Sequence, residues 1–166
     1  MNKRSSLLWS FVATLFLTGI TSACQGAGIT RMSIPFMLGT MLTPQRDRAK
    51  LLGFGLHMVN GWVFGLLYAA ALESWQRSGW WRGSVIGLVH GLFALVAGVS
   101  LLPLVHPRMA NEQYGPTPTQ QLEPPGFLAL NYGLRTPVVV VLSHLVYGAV
   151  IGQFYKVRGA DTNPST

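Results

Sequence analysis

The chain has 166 residues, of which 49% are hydrophobic and only 10% are charged. Soluble domains usually carry about 25% charged residues, and charge is rare in membrane spans because burying it in hydrocarbon is costly. The composition therefore argues against a soluble domain and indicates one integral membrane domain over residues 1–166. The formal net charge of +7 does not indicate nucleic-acid binding, because the basic residues lie at the ends of apolar runs, where they anchor to anionic lipid head groups.

The first apolar run, residues 7–23, follows Lys3 and Arg4. This pattern is typical of a membrane-spanning helix and also of a cleaved signal peptide. Small residues before Cys24 resemble a lipoprotein cleavage box, although Thr21 stands where leucine is usual. We favour a retained helix, because losing it would break the repeat described below. Cys24 is the single cysteine, which excludes an intrachain disulfide and a cysteine cage for a metal.

Three further apolar runs are long enough to cross the hydrocarbon core of a bilayer. They predict an all-α membrane protein with four transmembrane helices. The predicted spans are residues 7–23, 51–72, 83–105 and 137–155, and the predicted extramembrane connectors are residues 24–50 and 106–136.

The first connector contains an apolar stretch at residues 34–42 that is too short to span a membrane. This length indicates an interfacial or re-entrant helix. Ser33 is the expected N-cap, and Pro35 suits the first turn.

One motif occurs twice, in the second and fourth predicted spans. The pattern H-x-V-x-G-x-V-x-G-x-x-Y begins at His57 and again at His144. Because these two spans run in the same direction, the motifs predict two halves related as a parallel repeat. Each motif begins six or seven residues into its predicted span, which places both histidines about 10 Å below the same surface.

Glycines recur at intervals of four residues in three of the spans. Residues four apart lie on one side of a helix, and small residues let helix backbones approach closely in lipid. We therefore expect two parallel helix-pair repeats packed through glycine seams, with the motif histidines facing into the bundle. The glycines assigned to this packing are Gly53, Gly61, Gly65, Gly83, Gly87, Gly91, Gly148 and Gly152.

Histidines within the membrane are candidate functional residues, because ionisable side chains are costly there. His57 and His144 could ligate a haem iron, hold a quinone or relay protons, and with His106 they could hold a divalent metal. The alternative is that neutral imidazoles form hydrogen bonds across the bundle and set its register. That interpretation, without a cofactor, is favoured because no carboxylate within the spans could orient an imidazole.

The sequence shows no nucleotide-binding glycine loop, no G-x-S-x-G and no HExxH motif. The leading hypothesis is a non-enzymatic accessory or assembly subunit of a larger membrane complex, or a homo-oligomer, whose partners are the lipid bilayer and other subunits. The first alternative is a haem-, metal- or quinone-binding protein. The second alternative is a small carrier or channel, although few polar residues line the helices.

Several segments resemble a family of small bacterial four-helix integral membrane proteins of uncharacterised function. The resemblance covers most of the chain and implies a four-span fold in the bacterial cytoplasmic (inner) membrane, without catalytic residues to transfer. Lys and Arg are equally frequent at the two ends of the spans, so both termini are placed in the cytoplasm only because long connectors are more often translocated. The segments that carry the resemblance are Met37-Leu38-Gly39-Thr40-Met41, His57-x-x-Asn60-Gly61-x-x-x-Gly65-x-x-Tyr68, His106-Pro107-Arg108-Met109, Glu123-Pro124-Pro125-Gly126-Phe127 and His144-x-x-Tyr147-Gly148.

Overall fold

The protein is all-helical in a computed structural model that describes residues 1–110, 117 and 121–158. Within these residues, four helical stretches are long and apolar enough to cross a membrane, and they overlap the four predicted spans. The prediction of an all-α chain with four candidate spans is therefore confirmed, and helices of this kind indicate a multi-pass membrane protein. Residues 111–116 and 118–120 of the second predicted connector lie outside the described residues.

The third span is not one continuous α-helix. A π-helical turn at Ala94–Gly98 separates α4 from α5, and Pro103 lies inside α5. π-Helical turns often occur at functional sites, and this one borders the cavity described below. The helices are α1 (Lys3–Gly26), α2 (Ile34–Leu42), α3 (Arg46–Ser74), α4 (Trp80–Phe93), α5 (Val99–Val105) and α6 (Thr136–Phe154), with a 3₁₀ segment at Phe127–Tyr132.

The short helix α2 forms as predicted. The Ser33 hydroxyl accepts a hydrogen bond from the backbone N–H of Phe36, and proline occupies the first turn. α2 packs closely on the start of α3, where a Cβ atom at Gly53 would overlap the carbonyl of Pro35. Gly53 therefore packs against α2, which is not one of the four candidate spans.

Hydrogen bonds between helix ends fix the directions of the four spans. The backbone N–H of Asn2, at the start of α1, donates to the Tyr155 hydroxyl after the end of α6 at 3.0 Å. Ser6 on α1 donates to the carbonyl of Gly65, late in α3, at 3.4 Å. Gly79, before α4, donates to the carbonyl of Gly152, late in α6, at 2.6 Å. Helices α1 and α4 are thus antiparallel to α3 and α6, which run in the same direction.

The four spans do not all pack equally. Helix α1 lies against both α3 and α6, and α4 packs along α6, whereas α3 and α4 contact each other much less. Buried aromatic and aliphatic side chains of three spans, Tyr68, Leu72, Tyr147 and Ile151 among them, form the core at the end of the bundle that holds the N-terminus. The bundle is therefore close-packed along α1 and α6 and loosely packed where α3 lies beside α4.

Candidate functional site: a histidine-lined cavity between the spans

A cavity of about 210 Å³ lies among α1, α3, α6 and the third span. Most of its wall is apolar, and the π-helical turn contributes Ala94, Leu95 and Gly98. Polar side chains come from all four spans. Those that could hydrogen-bond a molecule inside the bundle are Thr14, Thr21, Asn60, His90, Ser143, His144 and Tyr147.

His90 stands at the centre of an aromatic cluster at this cavity. Its imidazole stacks on the ring of Phe64, with 3.9 Å between ring centroids. The imidazole of His144 meets it edge-on at 4.6 Å, and the rings of Tyr68 and Tyr147 meet it edge-on at 5.9 and 6.1 Å. We call Phe64, Tyr68, His90, His144 and Tyr147 the aromatic cluster. It places two histidines of different spans in direct contact.

The hydrogen bonds of the two histidines leave one nitrogen on each ring available. His144 Nδ1 lies 2.7 Å from the carbonyl of Val140, so Nδ1 carries the hydrogen and Nε2 of the neutral ring is an acceptor. His90 Nδ1 pairs with the Tyr68 hydroxyl at 3.2 Å. When Tyr68 donates, His90 carries its hydrogen on Nε2 and can donate it. Neither Nε2 atom has a hydrogen-bond partner among the described residues.

Asn60 and Tyr147 add polarity to the same cavity. The Tyr147 hydroxyl donates to the carbonyl of Gly61 at 2.6 Å and is thereby satisfied. The side chain of Asn60 is exposed at the cavity wall, and within the described residues its amide makes no side-chain hydrogen bond. An unpaired amide in an apolar span is costly, so a molecule in the cavity that bonded to Asn60 would relieve that cost.

His57 lies elsewhere. Its side chain is only 7% exposed, and neither ring nitrogen has a hydrogen-bond partner in the described part of the chain. It does not line the cavity that His144 lines. The structure therefore brings His144 together with His90, a residue outside the predicted candidates. The sequence could have identified His90, because it follows Gly87 by three residues and so lies beside the glycine face of α4.

His106 serves to hold α2 in place. Its Nε2 lies 2.9 Å from the carbonyl of Met37 and 3.2 Å from the Thr40 hydroxyl, and its Nδ1 accepts from the N–H of Arg108 at 3.1 Å. Both nitrogens are thus engaged. Among the described residues, no group of three or more His, Cys, Asp or Glu side chains is arranged to hold a metal ion. The proposed combination of His57, His106 and His144 is not brought together.

The predicted packing glycines have different neighbours in the two helix pairs. Between α4 and α6, a Cβ atom on Gly83 would overlap the carbonyl of Gly148, and one on Gly152 would overlap the carbonyl of Gly79. Gly87 meets the carbonyl of His144, and Gly91 meets its side chain. These close approaches fix the backbone of α6 against α4 at the level of His144.

Between α1 and α3 the small residues that face the glycines carry hydroxyl groups. Gly61 faces Thr14, and Gly65 faces Ser10. Ser6, Ser10 and Thr14 are fully buried or nearly so, and the Ser10 and Thr14 hydroxyls donate to carbonyls four residues earlier. We call Ser6, Ser10 and Thr14 the hydroxyl stripe. The hydroxyl stripe was not predicted from the sequence, although its residues are spaced four apart as the glycines are.

Comparisons with known proteins provide no template for this site. No protein-family model, no curated protein and no solved structure matches the chain.

Proposed function

We propose that this chain is an integral membrane protein that binds the ring head group of a lipophilic molecule of the quinone class in the cavity between its spans. The observation that carries the proposal is the contact between His90 and His144 at an apolar cavity, where Nδ1 of each ring is hydrogen-bonded and Nε2 has no hydrogen-bond partner among the described residues. Polar groups that converge on an apolar cavity are typical of sites for small molecules.

The size of the cavity favours a head group with a tail that lies outside it. Sites that enclose a whole drug-sized ligand usually measure about 300–1,000 Å³, whereas this cavity measures about 210 Å³. It lies beside the loosely packed side of the bundle, where α3 and α4 make few contacts with each other. A planar ring would occupy the cavity, and an apolar tail would leave between these helices into the lipid.

The hydrogen-bonding groups suit both redox forms of a quinone. The oxidised form offers carbonyl oxygens that accept hydrogen bonds. The Asn60 amide is a donor at the wall, and so is His90 Nε2–H when the Tyr68 hydroxyl donates to Nδ1. The reduced form offers hydroxyls that donate, and His144 Nε2 is an acceptor. The binding hypothesis therefore retains His144 from the sequence analysis and replaces His57 with His90.

Binding of a short-tailed naphthoquinone to the purified protein in mild detergent tests the proposal. We expect Ala94→Phe to fill the cavity and abolish binding, because Ala94 lines it. His144→Leu should weaken binding about tenfold, the effect of losing one hydrogen bond of about 1.4 kcal/mol. The matched control is Val96→Phe, which adds a ring on the exposed side of the same π-helical turn. Equal affinity in Ala94→Phe and Val96→Phe would exclude this cavity as the site.

A role as an accessory or assembly subunit is the second candidate. Leu134 and Phe127 are 85% and 73% exposed on the connector before α6, and exposed apolar side chains outside a span favour contact with a partner. Extraction in mild detergent should then recover partner subunits with the wild-type chain and lose them in Phe127→Ser/Leu134→Ser. A monomeric chain without partners would contradict this candidate.

We further propose that the two motif helices form a parallel repeat packed through glycine seams in a bacterial inner membrane, with α1 retained and both termini in the cytoplasm. The parallel course of α3 and α6 and the packing of α1 on both of them support this arrangement. Reporter fusions after residue 28 and after residue 158 test the orientation. A reporter that is active only outside the cytoplasm should be active in the first fusion and inactive in the second, because one span precedes residue 28 and four spans precede residue 158.

A further inference from the structure

A second cavity, of about 700 Å³, lies at the connector end of the bundle. The end of α1, the first turns of α2 and the start of α3 enclose it together with residues 121–123. It has a different wall from the histidine-lined cavity, and Met37 is the one described residue that the two walls share. A ligand bound there would therefore occupy a different place from the proposed quinone site.

The wall of this second cavity is positively charged. Among the described residues it includes three cations, Arg31, Arg46 and Lys50, and one anion, Glu123, which gives a net charge of +2. Arg31 is paired with Glu123 at 3.1 Å. Lys50 lies 3.8 Å from Asp47, but that carboxylate is 98% exposed and outside the wall, so water screens the pair. Arg46 and Lys50 therefore supply the excess charge.

The positions of these cations on α3 indicate an amphiphilic ligand. Arg46, Lys50 and Phe54 are four residues apart, so they lie on one side of the helix, with about 6 Å between successive positions. All three line the cavity, and Phe36 of α2 adds a second ring. This face is positively charged at the start of the helix, at Arg46 and Lys50, and apolar farther into the span, at Phe54.

Polar groups opposite α3 complete a site for an anion. Ser22 and Gln25, at the end of α1, line the same cavity, and both carry donors that can bond to oxyanions. Cations at a membrane boundary attract the anionic head groups of lipids. A phosphate at this level would contact cations from one helix and neutral donors from another, while an attached chain could follow Phe54.

We infer that this second cavity binds the phosphate group of an anionic amphiphile, with the phosphate at Arg46 and Lys50 and the apolar chain along Phe54 and Phe36. The same phosphate chemistry is found in a membrane phospholipid and in free inorganic phosphate. The continuity of the charged and aromatic side chains on one face of α3 favours the phospholipid.

Titration of the full-length protein in neutral detergent with phosphatidylglycerol, followed by native mass spectrometry, tests this inference. One cation at the membrane surface contributes about a fivefold change in affinity, so Arg46→Gln/Lys50→Gln should bind about 25-fold more weakly. The control, Lys3→Gln/Arg77→Gln, removes two exposed cations at the other end of the bundle and should change affinity less than twofold. Equal weakening in both variants, or equal binding of phosphatidylcholine, would overturn the inference.

A second experiment distinguishes a membrane phospholipid from free inorganic phosphate as the ligand. Phe54→Ala should weaken binding of phosphatidylglycerol, because the chain loses its apolar contact, and inorganic phosphate alone should compete poorly. If inorganic phosphate competes fully and Phe54→Ala binds phosphatidylglycerol like the wild type, an amphiphile is excluded. Because Arg46, Lys50 and Phe54 do not line the histidine-lined cavity, failure of this test leaves the quinone proposal unaffected.

Discussion

The hydroxyl of Tyr147 on α6 donates a buried hydrogen bond of 2.6 Å to the backbone carbonyl of Gly61 on α3. It joins the two motif helices, which otherwise make few contacts with each other. Gly61 has no side chain to separate the partners, and a Cβ atom there would overlap the Thr14 side chain of α1. One hydroxyl thus fixes the distance between α3 and α6 beside the cavity.

Tyr147→Phe should lower the free energy of unfolding, because the interhelical hydrogen bond to the Gly61 carbonyl is lost while the ring can still meet Tyr68 edge-on. Interhelical hydrogen bonds in membranes contribute about 0.6 kcal/mol on average and up to about 1.7 kcal/mol. Titration with denaturing detergent, followed by circular dichroism, measures the loss. A variant as stable as the wild type would show that this bond does not hold α3 against α6.

Gly83→Ala should separate α4 from α6, because the new methyl group would overlap the carbonyl of Gly148 and the backbone cannot yield locally. Overpacking of this kind costs about 1–3 kcal/mol. The same detergent titration should show the loss, and affinity for the naphthoquinone should fall with it, since His144 lies on the displaced helix.

Gly55→Ala is the matched control for that substitution. Gly55 lies within α3, and no atom is near enough to meet a Cβ there. Alanine is favoured over glycine in a helix by about 0.5–1 kcal/mol, so this variant should be equal to the wild type or more stable. A loss at Gly55→Ala similar to that at Gly83→Ala would show that the close approach of the Gly83 and Gly148 backbones does not explain the effect, because helix propensity alone favours alanine at both positions.

Much of the architecture could be predicted because length and hydropathy determine it. Four apolar runs separated by charged or proline-containing connectors gave four spans, and the Ser33 and Pro35 pair identified the start of α2. These signals are local in the sequence, and tertiary packing does not reverse them. The π-helical turn in the third span was not predicted, because no proline or glycine pattern marks its first residue, Ala94.

The candidate site was predicted less well, because contacts between helices depend on rotation about each axis. The repeat predicts that His57 and His144 are equivalent residues, yet their surroundings differ. His144 meets His90, whereas His57 is buried without a hydrogen-bond partner among the described residues. A motif shared by two helices specifies which face each residue occupies, but the neighbouring helix determines what that face contacts.

Arg108→Gln should loosen α2, because the guanidinium donates to the last carbonyls of that helix, at 2.6 Å for Thr40 and 3.1 Å for Met41. Hydrogen bonds to a charged group contribute about 1.5–3 kcal/mol, so amide exchange in α2 should become at least about tenfold faster. Arg48→Gln is the control, since Arg48 is an exposed cation at the same end of the bundle. Unchanged exchange in Arg108→Gln would mean that other contacts, such as that of His106, are sufficient to hold α2.

His57 and His106 should respond in opposite directions to the same substitution. His57→Leu removes two buried nitrogens that have no partner in the described residues. Because an unsatisfied buried polar group costs about 1–3 kcal/mol, the free energy of unfolding should stay equal or rise by up to that amount. His106→Leu leaves the N–H of Arg108 without its acceptor and removes one hydrogen bond to the carbonyl of Met37, so it should lower the free energy of unfolding by a similar amount. The detergent titration measures both effects. If the two substitutions lower the free energy of unfolding equally, the His57 imidazole is hydrogen-bonded in the membrane, and a ligand bound at His57 again becomes a candidate for that partner.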